Sequence, residues 1–163
     1  MKHFFSFAAL VILAAASCRS NKSFLERSNP DKSLQEAIKK LEKNPGNDDA
    51  LSAIPILYKE ILASHLANIN VARAGAGKNF SQWDNIIGEY EQLQKAYNRI
   101  INSTAAFTLV NPQNFSAELF EAKDSASLHY YNAAITLLEN KNRGELKKAY
   151  NYFEKADKIT PGY

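Results

Sequence analysis

One cysteine, one tryptophan, five prolines and six glycines are all that 163 residues hold of these types. A single cysteine excludes an intramolecular disulfide framework and a multi-thiolate zinc site. So few glycines and prolines exclude an all-β chain built on tight turns. Twenty basic against seventeen acidic residues give a net charge of +3. That is no electrostatic footprint for nucleic acid, where Lys and Arg cluster, and nucleic acid is not an expected partner. No apolar run is long enough to span a membrane. The longest, Phe4 to Ala16 with only Ser6 interrupting it, would rise about 20 Å as a helix, short of a hydrocarbon core of roughly 30 Å. The rest of the composition, 45% apolar and 23% charged, is that of a globular chain of one domain.

Lys2 and His3 in front of that apolar run give it the form of a secretory signal peptide over residues 1–17. Ala15-Ala16-Ser17-Cys18 follows at once and resembles a bacterial lipobox, with Ala15 standing where Leu is usual. The resemblance implies that Cys18 becomes the mature amino terminus and carries acyl chains, two or more of which anchor a protein stably. The alternative is ordinary cleavage nearby, for instance after Ala16. Cys18 would then be a free thiol prone to mixed disulfides in an oxidising compartment. Residues 18–30 read as a flexible tether, whose Arg19–Asn29 stretch would span roughly 20 Å. Arg19 is not the aspartate linked with inner-membrane retention. Nor does the tether carry the acidic cluster of surface-exported lipoproteins of the Bacteroidetes type. The resemblance thus implies an outer-membrane protein facing the periplasm.

From residue 31 to 163 the apolar residues recur at helical spacing. Leu34, Ala37, Ile38 and Leu41 form one stripe, stopped by Asn44-Pro45-Gly46. A second runs from about Asp49 to Ala72 through Ile54, Leu57, Tyr58, Ile61, Leu62, His65, Leu66 and Ile69. Pro55 places its continuous part from about Ser52, and Ala74-Gly75-Ala76-Gly77 breaks it. Ser81-Gln82-Trp83-Asp84 reads as an N-cap with an acidic third position. It opens a helix to about Asn102 with Trp83, Ile86, Ile87, Tyr90, Leu93, Tyr97, Ile100 and Ile101 on its stripe. Ser116 is the next N-cap candidate, ahead of Leu119, Ala122, Ala126, Tyr130, Ala133 and Leu137. A last helix carries Leu146, Ala149, Tyr150, Phe153, Ala156 and Ile159. The body is all-α, with about five helices.

Ala149, Phe153, Ala156 and Pro161, spaced 4, 3 and 5, resemble the second helix of a tetratricopeptide repeat. Tyr130, Ala133, Ala134 and Leu137 match the first helix, and Trp83, Ile86, Ile87 and Tyr90 repeat that spacing. The chain therefore resembles a tetratricopeptide-repeat lipoprotein of the Bacteroidetes envelope type, most closely over about Ser127 to Pro161. The resemblance implies antiparallel helical hairpins in an irregular right-handed solenoid, with Phe153 buried in the seam between Ala133, Ala134 and Leu137 and Ala149 and Ala156. The groove-facing positions it implies are Asp84, Gly88, Glu91 and Gln92, then Leu128, Tyr131, Ile135 and Leu138.

No catalytic constellation emerges. Gly75-Ala76-Gly77-Lys78 fails as a phosphate loop, because Ala72 stands where a Walker loop needs glycine and Asn79 where it needs a hydroxyl. His65 and His129 have no carboxylate or second histidine at i+3 or i+4, so packed or surface histidines are expected rather than metal ligands. No serine sits in a Gly-x-Ser-x-Gly elbow. Asn102-Ser103-Thr104 is a glycosylation sequon in form only.

A non-enzymatic interaction module without cofactor is therefore expected, anchored at Cys18 and presenting Asp84, Glu91, Gln92 and Tyr131 to a protein or peptide partner. The alternative is an accessory glycan- or nutrient-uptake lipoprotein beside an outer-membrane transporter. Leu128, Tyr131, Ile135 and Leu138 lie off the main stripe of their helix and are apolar too. The chain is accordingly expected to be the first part of a longer array, or to need a partner at its end. Cys18→Ala is expected to leave an unprocessed or soluble species; normal detergent-phase partitioning of that variant would refute the anchor.

Overall fold

A computed structural model describes residues 23–77, 79–139 and 143–162. They form six helices and no strand: α1 (Pro30–Lys43), α2 (Asp48–Ala76), α3 (Ser81–Ile101), α4 (Thr104–Phe107), α5 (Ser116–Glu139) and α6 (Arg143–Ile159). The expected all-α body is what is found, with one more short helix than the stripes suggest. The signal peptide and Cys18 lie outside the described residues.

Asn29 starts α1, its side chain accepting from the Lys32 amide at 2.9 Å while Pro30 takes the first helical position. Asn47 does the same for α2 through the Ala50 amide at 3.0 Å. α2 begins at Asp48, four residues before the expected start, and runs straight through Pro55. Burial of Ala50, Ala53, Ile54 and Leu57 holds that first segment in register. Pro55 itself is exposed, so water can satisfy the carbonyl its ring leaves unbonded. The glycine-rich break also comes later than expected. Ala72 and Ala76 are both buried four residues apart, and the helix continues through Gly75 to reach them. A Cβ on Gly75 would come within 3.3 Å of the Gln82 side chain, so the return into α3 is tight at this point.

Ser81 and Ser116 are not the caps. Each is the first residue of its helix, and the asparagine two positions earlier accepts its amide, Asn79 at 3.1 Å and Asn114 at 3.0 Å. The α3–α5 connection holds the helix that the stripes missed. Ser103 caps α4, and Ala106 is buried. Two side chains pin the remainder: Tyr58 accepts from the Gln113 amide at 2.8 Å and Gln94 from the Phe115 amide at 2.9 Å.

The main core lies among α1, α2 and α3, with Leu34, Leu41, Ile54, Leu57, Ile61, Ile69, Ile86, Leu93 and Ile100 fully buried. Phe24 belongs to it as well, on a short 3-10 turn ahead of α1. Arg27 stacks over the Phe24 ring at 4.5 Å and pairs with Glu36, and Ser23 donates to Asp49 at 2.6 Å. The tether expected over 18–30 is therefore docked from Ser23 onward, because Phe24 gains more by burial than the chain loses in freedom.

α5 and α6 pack on each other through small residues. Ala126, Ala134, Ala149 and Ala156 are buried, and Ser127 Oγ donates to the Ala156 carbonyl at 3.2 Å. Phe153 is only half-buried, at the edge of this seam, edge-on to Tyr131 at 5.2 Å. The seam is thus closed by alanine and serine rather than by the expected phenylalanine. Phe80, from the α2–α3 turn, ties the pair to the rest. Its carbonyl accepts from Tyr130 at 3.2 Å, and its ring lies 5.7 Å from Tyr130 and 5.8 Å from Tyr152.

His65 joins three helices. From α2, its Nε2 meets Asp31 of α1 at 3.2 Å and its Nδ1 meets Glu89 of α3. Asn68 steadies Glu89 at 3.2 Å, and Arg99 reaches the Asp31 carbonyl at 3.4 Å. Only the imidazolium can donate to both carboxylates. The bond to Asp31, opposed by burial and aided by Glu89, raises the His65 pKa above its ordinary value. The same bond, opposed by burial and aided by Arg99, lowers that of Asp31. The His65 contribution is therefore complete below the ordinary value of 6.5 and is lost as pH rises through the raised one. The Asp31 contribution is present above 3.8 and is lost as pH falls through its lowered value. The thermal midpoint is expected to be highest between these limits and to decline on the alkaline side, and His65→Gln should flatten that decline. An equal alkaline slope in wild type and variant would remove His65 as its cause.

Candidate functional site

Asp84, Gly88 and Glu91 follow one another on α3 at steps of four and three, which places them on one face. That face forms one wall of a cleft of about 460 Å³ between α3, α5 and α6. Lys123 of α5 and Lys155, Lys158 and Ile159 of α6 form the other. Lys155 Nζ pairs with Asp84 at 2.8 Å, and Lys123 Nζ with Glu91 at 3.0 Å. All four side chains keep more than a third of their surface in water. Such pairs contribute little to stability, and exchanging them for pairs with a ligand costs correspondingly little. Below Lys155 the Tyr130 ring lies 5.9 Å from its ammonium. Burial, then the neighbouring Asp84, pushes the Tyr130 phenol up, so it stays neutral and donates to Phe80.

Gly88 opens the floor. A Cβ built there meets nothing within 4 Å, so no packing requires the glycine, and its absence of side chain leaves the middle of the cleft free. The arrangement can hold an extended polar segment by exchange of ion pairs along its length.

Of the sequence-expected residues, Asp84 and Glu91 come together here with Gly88. Gln92 is half-buried and does not line the cleft. Tyr131 belongs to a different surface, packed on Phe153 beside the exposed Leu128, Ile135 and Leu138. The lysines of the second wall were missed. No spacing within one helix connects Lys123 to Glu91 or Lys155 to Asp84; the pairing exists only once α5 and α6 pack on α3.

A second cleft, of about 330 Å³, lies between the end of α2, α3 and α5, with Trp83 on its wall and Arg73, Glu121 and Ser125 contributing polar groups. His129 stacks on Trp83 with 5.1 Å between ring centres. Arg73 donates to the Tyr90 hydroxyl at 2.9 Å. Among the described residues no three His, Cys, Asp or Glu side chains are arranged to hold a metal ion. Asp31, His65 and Glu89 come nearest, yet the carboxylates occupy opposite nitrogens of the ring and do not converge on one point. Among the described residues no helix is long and apolar enough to cross a membrane. No protein-family model, curated protein or solved structure matches the chain.

Gly88→Ala is expected to stabilise the fold by about 0.5–1 kcal/mol, since it removes a mid-helix glycine and meets no neighbour. Urea unfolding measures this; a destabilised variant would show that the cleft floor is closed.

Proposed function

We propose that this chain is a lipid-anchored helical-repeat protein that serves as a protein–protein interaction module in a bacterial cell envelope. The observation that carries the reading is the α3–α5–α6 cleft. Its Asp84, Gly88 and Glu91 stand on one helix face, opposite three lysines, over an unfilled floor. The solenoid reading of antiparallel hairpins is supported by the residue pairs along the α5–α6 seam. Ser127 meets Ala156, Tyr130 meets Tyr152, and Tyr131 meets Phe153. A repeat hairpin of this kind leaves one face of each pair available to a ligand.

Anchoring at Cys18 fits the same picture. Phe24 is docked in the core and Ser23 is bonded to Asp49, so the leash from Cys18 to Ser23 spans at most about 18 Å. Acyl chains on Cys18 would hold the body close to the membrane surface, its cleft open to the periplasm. A second reading, glycan or nutrient uptake beside a transporter, draws on the Trp83 cleft, where an aromatic wall stands beside Arg73, Glu121 and Ser125.

Affinity capture of the anchored protein from its own envelope tests the main reading. The wild type is expected to retain a protein partner that Gly88→Arg, which fills and charges the cleft floor, releases. Gly88→Ala should keep that partner. Identical capture by Gly88→Arg would sink the cleft as the interaction site.

A further inference from the structure

We infer that the chain pairs with a second copy of itself through the outer face of α5 and α6, about a twofold axis passing beside Ile135 and Tyr150. The proposal concerns a surface separate from the α3–α5–α6 cleft and does not depend on it.

The face is apolar and partly open to solvent. On α5, Leu128, Tyr131, Ile135 and Leu138 follow at steps of 3, 4 and 3, and all are exposed. Leu146 and Tyr150 of α6 extend the patch, Tyr150 being 68% exposed. Phe153 bridges the two helices through Tyr131. Contiguous apolar surface of this kind marks an interaction site.

Charge selects the occupant. Arg143, Lys147, Tyr150, Glu154 and Asp157 stand at steps of 4, 3, 4 and 3, one stripe along α6, and all are exposed. Its first two residues are basic, its last two acidic, and Tyr150 sits between them. Two such stripes laid antiparallel about Tyr150 set Arg143 of one copy opposite Asp157 of the other and Lys147 opposite Glu154. Symmetry makes each pair twice. A parallel arrangement would set like charges together, which is disfavoured. The Gly162 amide donates to only one Asp157 oxygen, Oδ1, at 2.9 Å, leaving the other to face an arginine.

The α5 stripe fits the same axis over its last three positions. Turned about Ile135, it places Tyr131 opposite Leu138. The two centres also coincide in space. Ser127 meets Ala156 and Tyr131 meets Phe153, a progression that brings Ile135 level with Ala149 and Tyr150. One axis therefore satisfies both helices. An unrelated partner would impose no such internal symmetry on two separate stripes.

Cysteine cross-linking of the full chain in its native membrane tests the pairing, because a residue beside a twofold axis meets its own copy. Tyr150→Cys with a short bismaleimide is expected to give covalent dimers. The unsubstituted chain and Val71→Cys, exposed on α2, should not. Lys147→Glu or Glu154→Lys, each added to Tyr150→Cys, should lower the dimer yield about tenfold, and the two together should restore it. Ile135→Asp should abolish it, with helicity retained and the thermal midpoint lowered only modestly, because the side chain is not part of the buried core. The inference is overturned by a Tyr150→Cys yield no greater than that of Val71→Cys, by a cross-link to a different protein, or by a charge exchange that fails to restore pairing.

Discussion

The structure depends on α3 being covered from two sides. Ile86, Tyr90, Leu93, Ala96 and Ile100 are buried, and they complete the core with α1 and α2. The same helix supports α5 beyond it, where Ala122 enters the common core. Burying one helix on two sides needs short side chains wherever backbones approach, and Ala96 and Ala122 supply them. What remains of α3 in water is a narrow strip. Asp84, Gly88 and Glu91 occupy that strip, so the cleft is a by-product of how α3 is shared.

Polar groups set the positions that this packing leaves free. An alanine seam slides easily, since methyl groups interdigitate shallowly. The Ser127 hydroxyl, bonded to the Ala156 carbonyl and within 3.0 Å of the Thr160 hydroxyl, fixes the register of α6 on α5. Phe80 fixes the pair against the α2–α3 turn. On the other side of the molecule, His65 bonds α1 and α3 to α2 at one point, where apolar contact alone would tolerate small rotations.

The stripes of α1, α3, α5 and α6 were legible in the sequence because their buried residues recur at the helical period, although Leu146 and Tyr150 of the α6 stripe and Ile101 of the α3 stripe are exposed. Local breaker rules misplaced the ends of α2. Pro55 and Gly75 disfavour a helix by amounts that burial of Ala50, Ala53, Ala72 and Ala76 exceeds. α4 was illegible, since four residues show no period. The role of His65 was hidden for a different reason. Its carboxylates stand 34 and 24 residues away, beyond any search of neighbouring turns. The α3 wall of the cleft could be found from a one-face spacing. Its lysine wall could not, because that wall exists only through contacts between helices.

On the proposed anchoring, membrane and ligand would act on different helices of this arrangement. Force from Cys18 would enter through Phe24, Ser23 and Arg27, which hold α2 and α1. It would reach α5 and α6 through α3, through the Phe80 turn and through the connection that Tyr58 pins. A ligand in the cleft touches α3, α5 and α6 and leaves α1 alone. The Phe80 turn is therefore one of the ties between α1 and α2, on which the proposed anchor would act, and α5 and α6. Phe80 supplies one hydrogen bond and three ring contacts, beside the Trp83–His129 contact and the two ion pairs that join α3 to α5 and α6. Movement of α5 and α6 against α3 would have to break these contacts together.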